Sequence, residues 1–373
     1  VPVLLASAMP RTRIWSSKDS TPRQRWRRRI FTIPAVLIGF LAFVVLLTPA
    51  IIVGGVIDLL TRQRGSTVRL AIYAVWWAGL ESAALFWAAV LWMRYAPLGQ
   101  LDSQSSLCAH SRLQGWWSTN LVRGARTLLG MAHGLEGREA LRSGGPLIVL
   151  ARHGSQGDAL LVASILATAG LRPRFVLKRQ LLWDPCLDVV GHRIPNYFVD
   201  RNSTDSQTEL GNIKRLASDL EDDEAVVIFP EGTRYSDAKR EKAIDLLGTA
   251  APERVASARR LQHVLPIRTA GLLAILEAAP STDLLFLNHV GVHDFRTLGD
   301  LWRNVPFPVP LLFHATRSAR NEVPDTDELV DWLDARWEDF DTWVATNTPE
   351  PVSYTHLRAH ETDSYLVCRL LLE

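Results

Sequence analysis

Pro146-Leu-Ile-Val-Leu-Ala-Arg-His-Gly-Ser-Gln-Gly-Asp158 is the stretch whose reading decides the fold. Pro146 to Ala151 is a short apolar run between a Gly-Gly turn and a polar loop, which predicts a buried strand. Asp158 to Ala169 is apolar at helical spacing and stops at Gly170, which predicts a helix with a glycine end. His153 therefore falls on the loop where a strand hands over to a helix, and Asp158 falls near that helix's N-terminus. Crevices at the carboxyl ends of strands are where α/β proteins place ligands. A base and its orienting carboxylate can meet there.

The same pattern extends downstream. Phe175–Lys178, Tyr197–Asp200, Ala225–Phe229, His263–Ile267 and Asp283–Leu287 are apolar runs of strand length, and Ser206–Leu220 and Glu253–Leu261 have helical spacing. Alternation of this kind predicts an α/β domain over 94–350, a mixed, largely buried sheet flanked by helices. Leu113–Leu129 is helix-like, with Trp116 and Trp117 as anchors. Asp325–Val344 is an acidic amphipathic helix expected to pack on the domain.

Upstream the chain changes character. Residues 1–32 are polar and basic, with Arg23, Arg25, Arg27, Arg28 and Arg29 just before the first apolar run. Pro34 to Ile57 carries no charge over 24 positions, about 36 Å of helix, enough to cross a hydrocarbon core. Pro49 and Gly54-Gly55 predict a bent or re-entrant path. The run is too long for a signal-peptide core and is read as mature protein. Leu70 to Met93 holds Trp76, Trp77, Trp87 and Trp92 and the single charge Glu81. An ionisable group at mid-bilayer costs about 3 kcal/mol, so Glu81 is expected to face the first helix or a polar cavity. Residues 33–93 thus predict a membrane-embedded helical hairpin, crossing twice or lying shallow. The basic flank puts the N-terminus and the α/β domain on the cytoplasmic face. Two core helices of a soluble domain are the alternative.

The 373 residues carry a formal net charge of +2 with 47% hydrophobic content. No concentrated basic face points to nucleic acid. Cys108, Cys186 and Cys368 are odd in number and form no CxxC pair, so a reduced compartment is expected, with neither disulfides nor a metal site. The chain opens on Val1, with Met9 as an alternative start, and 353–373 reads as a non-native tail set aside from the fold.

Three segments carry chemistry-bearing residues. His153 with Asp158 is one, although a histidine near an aspartate is common by chance. Phe229-Pro-Glu-Gly-Thr-Arg234 is another: Pro230 stops a strand, Gly232 permits a tight turn, and Arg234 offers a planar fork suited to phosphate or carboxylate. A plain turn with a Glu231–Arg234 salt bridge is the alternative. Tyr197-Phe-Val-Asp-Arg201 is a third strand that ends in an arginine.

In this order, followed by Val264-Leu-Pro-Ile267, the segments resemble the glycerolipid acyltransferase family, which includes 1-acylglycerol-3-phosphate acyltransferases. The resemblance spans about 94–343, and the hairpin before the domain is similar too. It implies His153 as general base and Asp158 as its orienting partner. It implies that Arg201 and the turn Glu231, Gly232, Thr233 and Arg234 bind the acceptor's glycerol phosphate, with Pro266 shaping the pocket. Lys178 matches a basic position after its strand, for acceptor or CoA contact, and a surface pair with Arg179 is the alternative. The donor it implies is an acyl thioester, acyl-CoA or acyl-carrier protein, with neither cofactor nor metal. The acceptor is a lysophospholipid, with glycerol 3-phosphate or another lysolipid as alternatives, and a non-catalytic lipid-binding module as a rival. The sequence departs from the family at Arg152, where asparagine is usual, and at Gly157. Arg152 is expected to tune the base or to contact a phosphate. His192, His263 and His289 are read as structural.

Overall fold

The computed structural model describes residues 21–348 apart from 143, 156, 200–205, 292–296 and 326–327. Arg201, Cys368 and the 353–373 tail lie outside the described residues.

Two long helices come first, α1 (Pro22–Leu60) and α2 (Ser66–Tyr95), packed side by side. α1 begins inside the stretch read as a separate basic segment and stays helical through Pro34 and Pro49. The link between the helices is closed by Asp58, whose carboxylate accepts the N–H groups of Thr67 (2.9 Å) and Val68 (3.2 Å) in the first turn of α2. Glu81 is buried, 5% exposed. It accepts the indole N–H of Trp77 (3.0 Å) and of Trp117 (3.1 Å), the latter on α3 (Gln104–Leu129).

The rest is a seven-stranded sheet with helices on both faces. In chain order the elements are β1 (His133–Glu136), β2 (Leu147–Ala151), α4 (Asp158–Thr168), β3 (Arg172–Lys178), α5 (Pro185–Val189), β4 (Tyr197–Val199) and α6 (Ser206–Ala217). They continue through β5 (Glu224–Ile228), α7 (Asp237–Ala250), α8 (Val255–Arg260), α9 (Thr269–Ala278), β6 (Asp283–Val290), α10 (Leu298–Asn304), β7 (Leu311–Ser318) and α11 (Leu329–Asn347). The strand order is β1-β7-β6-β2-β5-β3-β4, parallel except where β6 meets β7. The sheet is therefore mixed, with β2 at its centre.

The unbroken apolar run of β2 follows from its position. Ile148 and Leu150 join Val226, Ile228, Leu284 and Phe286 in a core under α6, α9 and α11. Leu147, Val149 and Ala151 join Val227, Leu285 and Leu287 in a second core under α3 and α4. A strand covered on both faces needs apolar side chains at odd and even positions alike.

One expected strand is absent: His263–Ile267 pairs with no strand. Its N–H groups go to carboxylates instead. Asp341 on α11 takes those of His263 and Val264 (2.6 and 2.9 Å), and Glu231 takes that of Leu265 (2.9 Å). The backbone is satisfied without a ladder.

Candidate active site

β2 delivers its catalytic-looking loop at the sheet centre. Arg152 continues the ladder for one step, its N–H on Leu287 O at 3.2 Å, and the chain then leaves the sheet. The N–H of His153 donates to Glu231 Oε1 at 2.6 Å. His153 Nδ1 lies 3.1 Å from Asp158 Oδ2. Asp158 is 1% exposed and also accepts the Ser155 N–H (2.8 Å) and the Ser155 hydroxyl. Burial alone would raise the Asp158 pKa. The neighbouring His289, together with hydrogen bonds from His153 and Ser155, overcomes that and holds the group well below the ordinary carboxylate range. An ionised carboxylate only accepts, so Nδ1 of His153 donates to it, and in the neutral ring this leaves the lone pair on Nε2. The His153 side chain is 16% exposed, open enough to meet a substrate.

Glu231 sits beneath this loop. It is 2% exposed, and its second oxygen accepts the Leu265 N–H at 2.9 Å. Full burial pushes its pKa up to about 7, against the pull of the His153 and Leu265 N–H groups and of Arg152. Both oxygens are used by main chain, so no Glu231–Arg234 salt bridge forms among the described residues. The turn that follows is tight: Gly232 has φ +68, and a Cβ there would stand 3.0 Å from Arg268. The N–H of Tyr235 reaches back to His153 O at 3.3 Å. Thr233 and Arg234 are half-buried beside the His153 loop. The Arg234 guanidinium makes no ion pair or hydrogen bond among the described residues. Lys178 ends β3, half-buried and in register with Val199 of β4.

Two residues take places that sequence reading did not give them. Arg152 is 3% exposed, and its guanidinium turns inward to the backbone carbonyls of His289 and His263, the latter at 3.1 Å. It is a buried clamp, turned away from any phosphate at the surface. His289, read as structural, has Nε2 3.2 Å from Asp158 Oδ1. Its strand was expected to stop at Leu287, but β6 runs on to Val290 and carries His289 into the site.

An apolar cavity of about 160 Å³ opens behind α4, lined by Ala159, Leu160, Ala163, Phe175, Leu177 and residues of α2, α3 and α5. Glu81, Asp184 and Cys186 bring possible metal-ligand atoms within 4.8 Å of one another among the described residues. Here they join α2 to α5: the Cys186 thiol donates to Glu81 O at 3.3 Å, and Asp184 caps α5.

Residues 134–281 match the family model described as Acyltransferase. The matched stretch is a little under half of the chain. It contains His153, Asp158, the Glu231–Arg234 turn and Leu265, and the family's name agrees with the chemistry their arrangement allows. No curated protein matches the chain. Among solved structures, the 1-acyl-sn-glycerophosphate (LPA) acyltransferase PlsC from Thermotoga maritima is similar at 16% identity and a TM-score of 0.45, covering 73% of this chain and 97% of that one. The matched segment ends before β6 and so does not include His289.

Proposed function

We propose that the protein is a membrane-associated acyltransferase that moves an acyl chain from an acyl thioester to the hydroxyl of a lysophospholipid. The acceptor we favour is 1-acylglycerol 3-phosphate, which would give phosphatidic acid. The observation that carries this reading is the His153–Asp158 pair at 3.1 Å, with the outer ring nitrogen left for substrate.

A hydroxyl is a poor nucleophile until a base takes its proton as the new bond forms, and a neutral imidazole suits that task near pH 7. His153 Nε2 takes the proton while the acceptor oxygen bonds the thioester carbonyl carbon. The tetrahedral oxyanion collapses, the C–S bond breaks, and the imidazolium returns the proton to the departing thiolate. Asp158 fixes the tautomer and stabilises the imidazolium, the logic of a catalytic triad whose nucleophile is the substrate. The oxyanion needs a donor. The N–H groups of Ser155 and Gly157 are already used by Asp158 and by the Ser155 hydroxyl. That of Gly154 has no partner among the described residues and is assigned the role.

Arg234, without a side-chain partner among the described residues, supports an anionic acceptor, with Arg201 and Lys178 proposed alongside it. The apolar cavity behind α4 supports a long acyl chain. The outer flank of α1 supports a bilayer setting: Val45 is 75% exposed and Ile52 64%, a surface that water does not favour. Residues 33–93 are proposed as the membrane hairpin, with the domain on the cytoplasmic face.

The test is an acceptor series in vesicles containing the full chain, with oleoyl-CoA and either lysophosphatidic acid, glycerol 3-phosphate or uncharged monoacylglycerol. We expect phosphatidic acid as the main product. Arg234→Ala should raise KM for lysophosphatidic acid roughly tenfold or more, the loss of a charge-assisted contact. Equal use of monoacylglycerol, with Arg234→Ala silent, would defeat the choice of acceptor.

A further inference from the structure

We infer that His289 is a positioning residue for the acyl transfer, a second imidazole on Asp158 that sets how strongly this carboxylate holds His153. The inference rests on the reading of His153 as the base. Three observations carry it, and none of them concerns the acceptor or the donor.

The first is geometry. Asp158 has an imidazole on each oxygen: His153 Nδ1 at 3.1 Å on Oδ2 and His289 Nε2 at 3.2 Å on Oδ1. The His289 contact is at ion-pair distance without the alignment of a full hydrogen bond, and neither nitrogen of that ring has a hydrogen-bond partner among the described residues. The second is burial. The His289 side chain is 2% exposed, so its ring belongs to the interior and cannot itself meet a substrate. A buried polar ring with no other partner is costly, and facing the carboxylate is what offsets that cost here. The third is support. Arg152 bonds the His289 carbonyl, Asn288 Oδ1 accepts the His289 N–H at 3.0 Å, and the Phe313 ring packs 5.4 Å away. The ring is thereby held from its backbone, its own strand and the neighbouring strand β7.

The consequence follows from charge sharing. The groups facing Asp158 are His153 and Ser155 on the loop, His289 on β6, and the charges of Arg152 and Glu231 close by. With two imidazoles on one carboxylate, the negative charge is divided between them. Without His289 the whole charge acts on His153 and favours its protonated, inactive form. The acidic limb of the pH–rate profile then moves to higher pH. A residue that only filled space would lower the rate without moving the limb.

The experiment compares full-length wild type, His289→Phe and His289→Gln in vesicles, measuring kcat and KM for oleoyl-CoA with lysophosphatidic acid from pH 5 to 9. The glutamine amide reaches the position of Nε2 and can donate to Asp158, whereas phenylalanine cannot. Expected for His289→Phe is an acidic limb raised by about one pH unit, with KM within twofold and kcat lowered about tenfold on that limb and only a few-fold near neutral pH, since one unit of pH is tenfold in the free base only well below the midpoint. His289→Gln should return the limb toward that of the wild type. A limb that stays in place in both variants overturns the inference, whatever happens to kcat. Should His289→Phe not fold, His289→Asn replaces it: its amide reaches only the Nδ1 position, and a limb identical to that of His289→Gln counts against the inference. His153→Ala in the same assay separates the two levels. Activity that survives it refutes the base itself, whereas an inactive His153→Ala beside an unshifted His289→Phe refutes only the role of His289.

Discussion

The Glu231 carboxylate holds two main-chain N–H groups from segments far apart in sequence, at His153 and Leu265, and so welds the base loop to the extended 263–267 segment. Glutamine has one carbonyl oxygen for two donors, so Glu231→Gln leaves one buried N–H unsatisfied, at about 1–3 kcal/mol. Because that N–H can be the one at His153, kcat should fall while KM changes little, read in the same thioester assay. Glu231 also ties stability to pH. Its ordinary value is 4.5 and the fold raises it to about 7, so the folded state binds the extra proton between those values. Its contribution is full below about pH 4.5 and is lost as pH rises through 7, on the order of 3 kcal/mol in all. Denaturation of the wild type from pH 5 to 7.5 should show this decline, and Glu231→Gln should flatten it. Equal slopes in both proteins would contradict the assignment.

At the scale of elements, the join between the hairpin and the α/β domain turns on Asp188 in α5. Its carboxylate pairs with Arg28 at 3.1 Å and Arg29 at 3.0 Å, both on α1, and its carbonyl accepts from Arg29 at 2.8 Å. Asp188→Ala takes the Asp188 carboxylate away from Arg28, only 9% exposed, and removing one partner of a buried pair costs about 3–5 kcal/mol. Hydrogen exchange over 22–33 should rise while the His153–Asp158 pair stays intact; unchanged protection there would show that α1 is held by its apolar contacts alone. The sequence displayed the basic cluster but not its partner, because a lone aspartate in a short helix carries no pattern. Legibility divides the same way elsewhere. β2, β5 and α4 were readable because burial on both faces writes an unbroken apolar run. Val264-Leu-Pro-Ile267 has the same composition, but side-chain carboxylates satisfy its backbone, and composition cannot distinguish carboxylates from a ladder. Leu311–Ser318 went unassigned. Its buried positions Leu311, Phe313 and Ala315 alternate with Leu312, His314 and Thr316, as expected near a sheet edge with only one well-covered face.

For the molecule as a whole, a mixed sheet focuses its central strand ends on one loop, and two apolar helices are fastened to the side that contains the cavity. The His153–Asp158 spacing was legible because both residues sit on one strand–helix junction. His289 was not, since it arrives from a strand more than a hundred residues later, and only the register of β6 against β2 brings it home. The same register turns Arg152 inward, which its position beside the base could not reveal. The most direct test of the account uses the full chain in vesicles with oleoyl-CoA and lysophosphatidic acid, wild type beside His153→Ala, following free thiol and lipid product together. The account predicts equal amounts of thiol and phosphatidic acid from the wild type, and a rate about 10²–10⁴-fold lower from His153→Ala, the usual worth of a general base. Phosphatidic acid formed at the wild-type rate without His153 would contradict it.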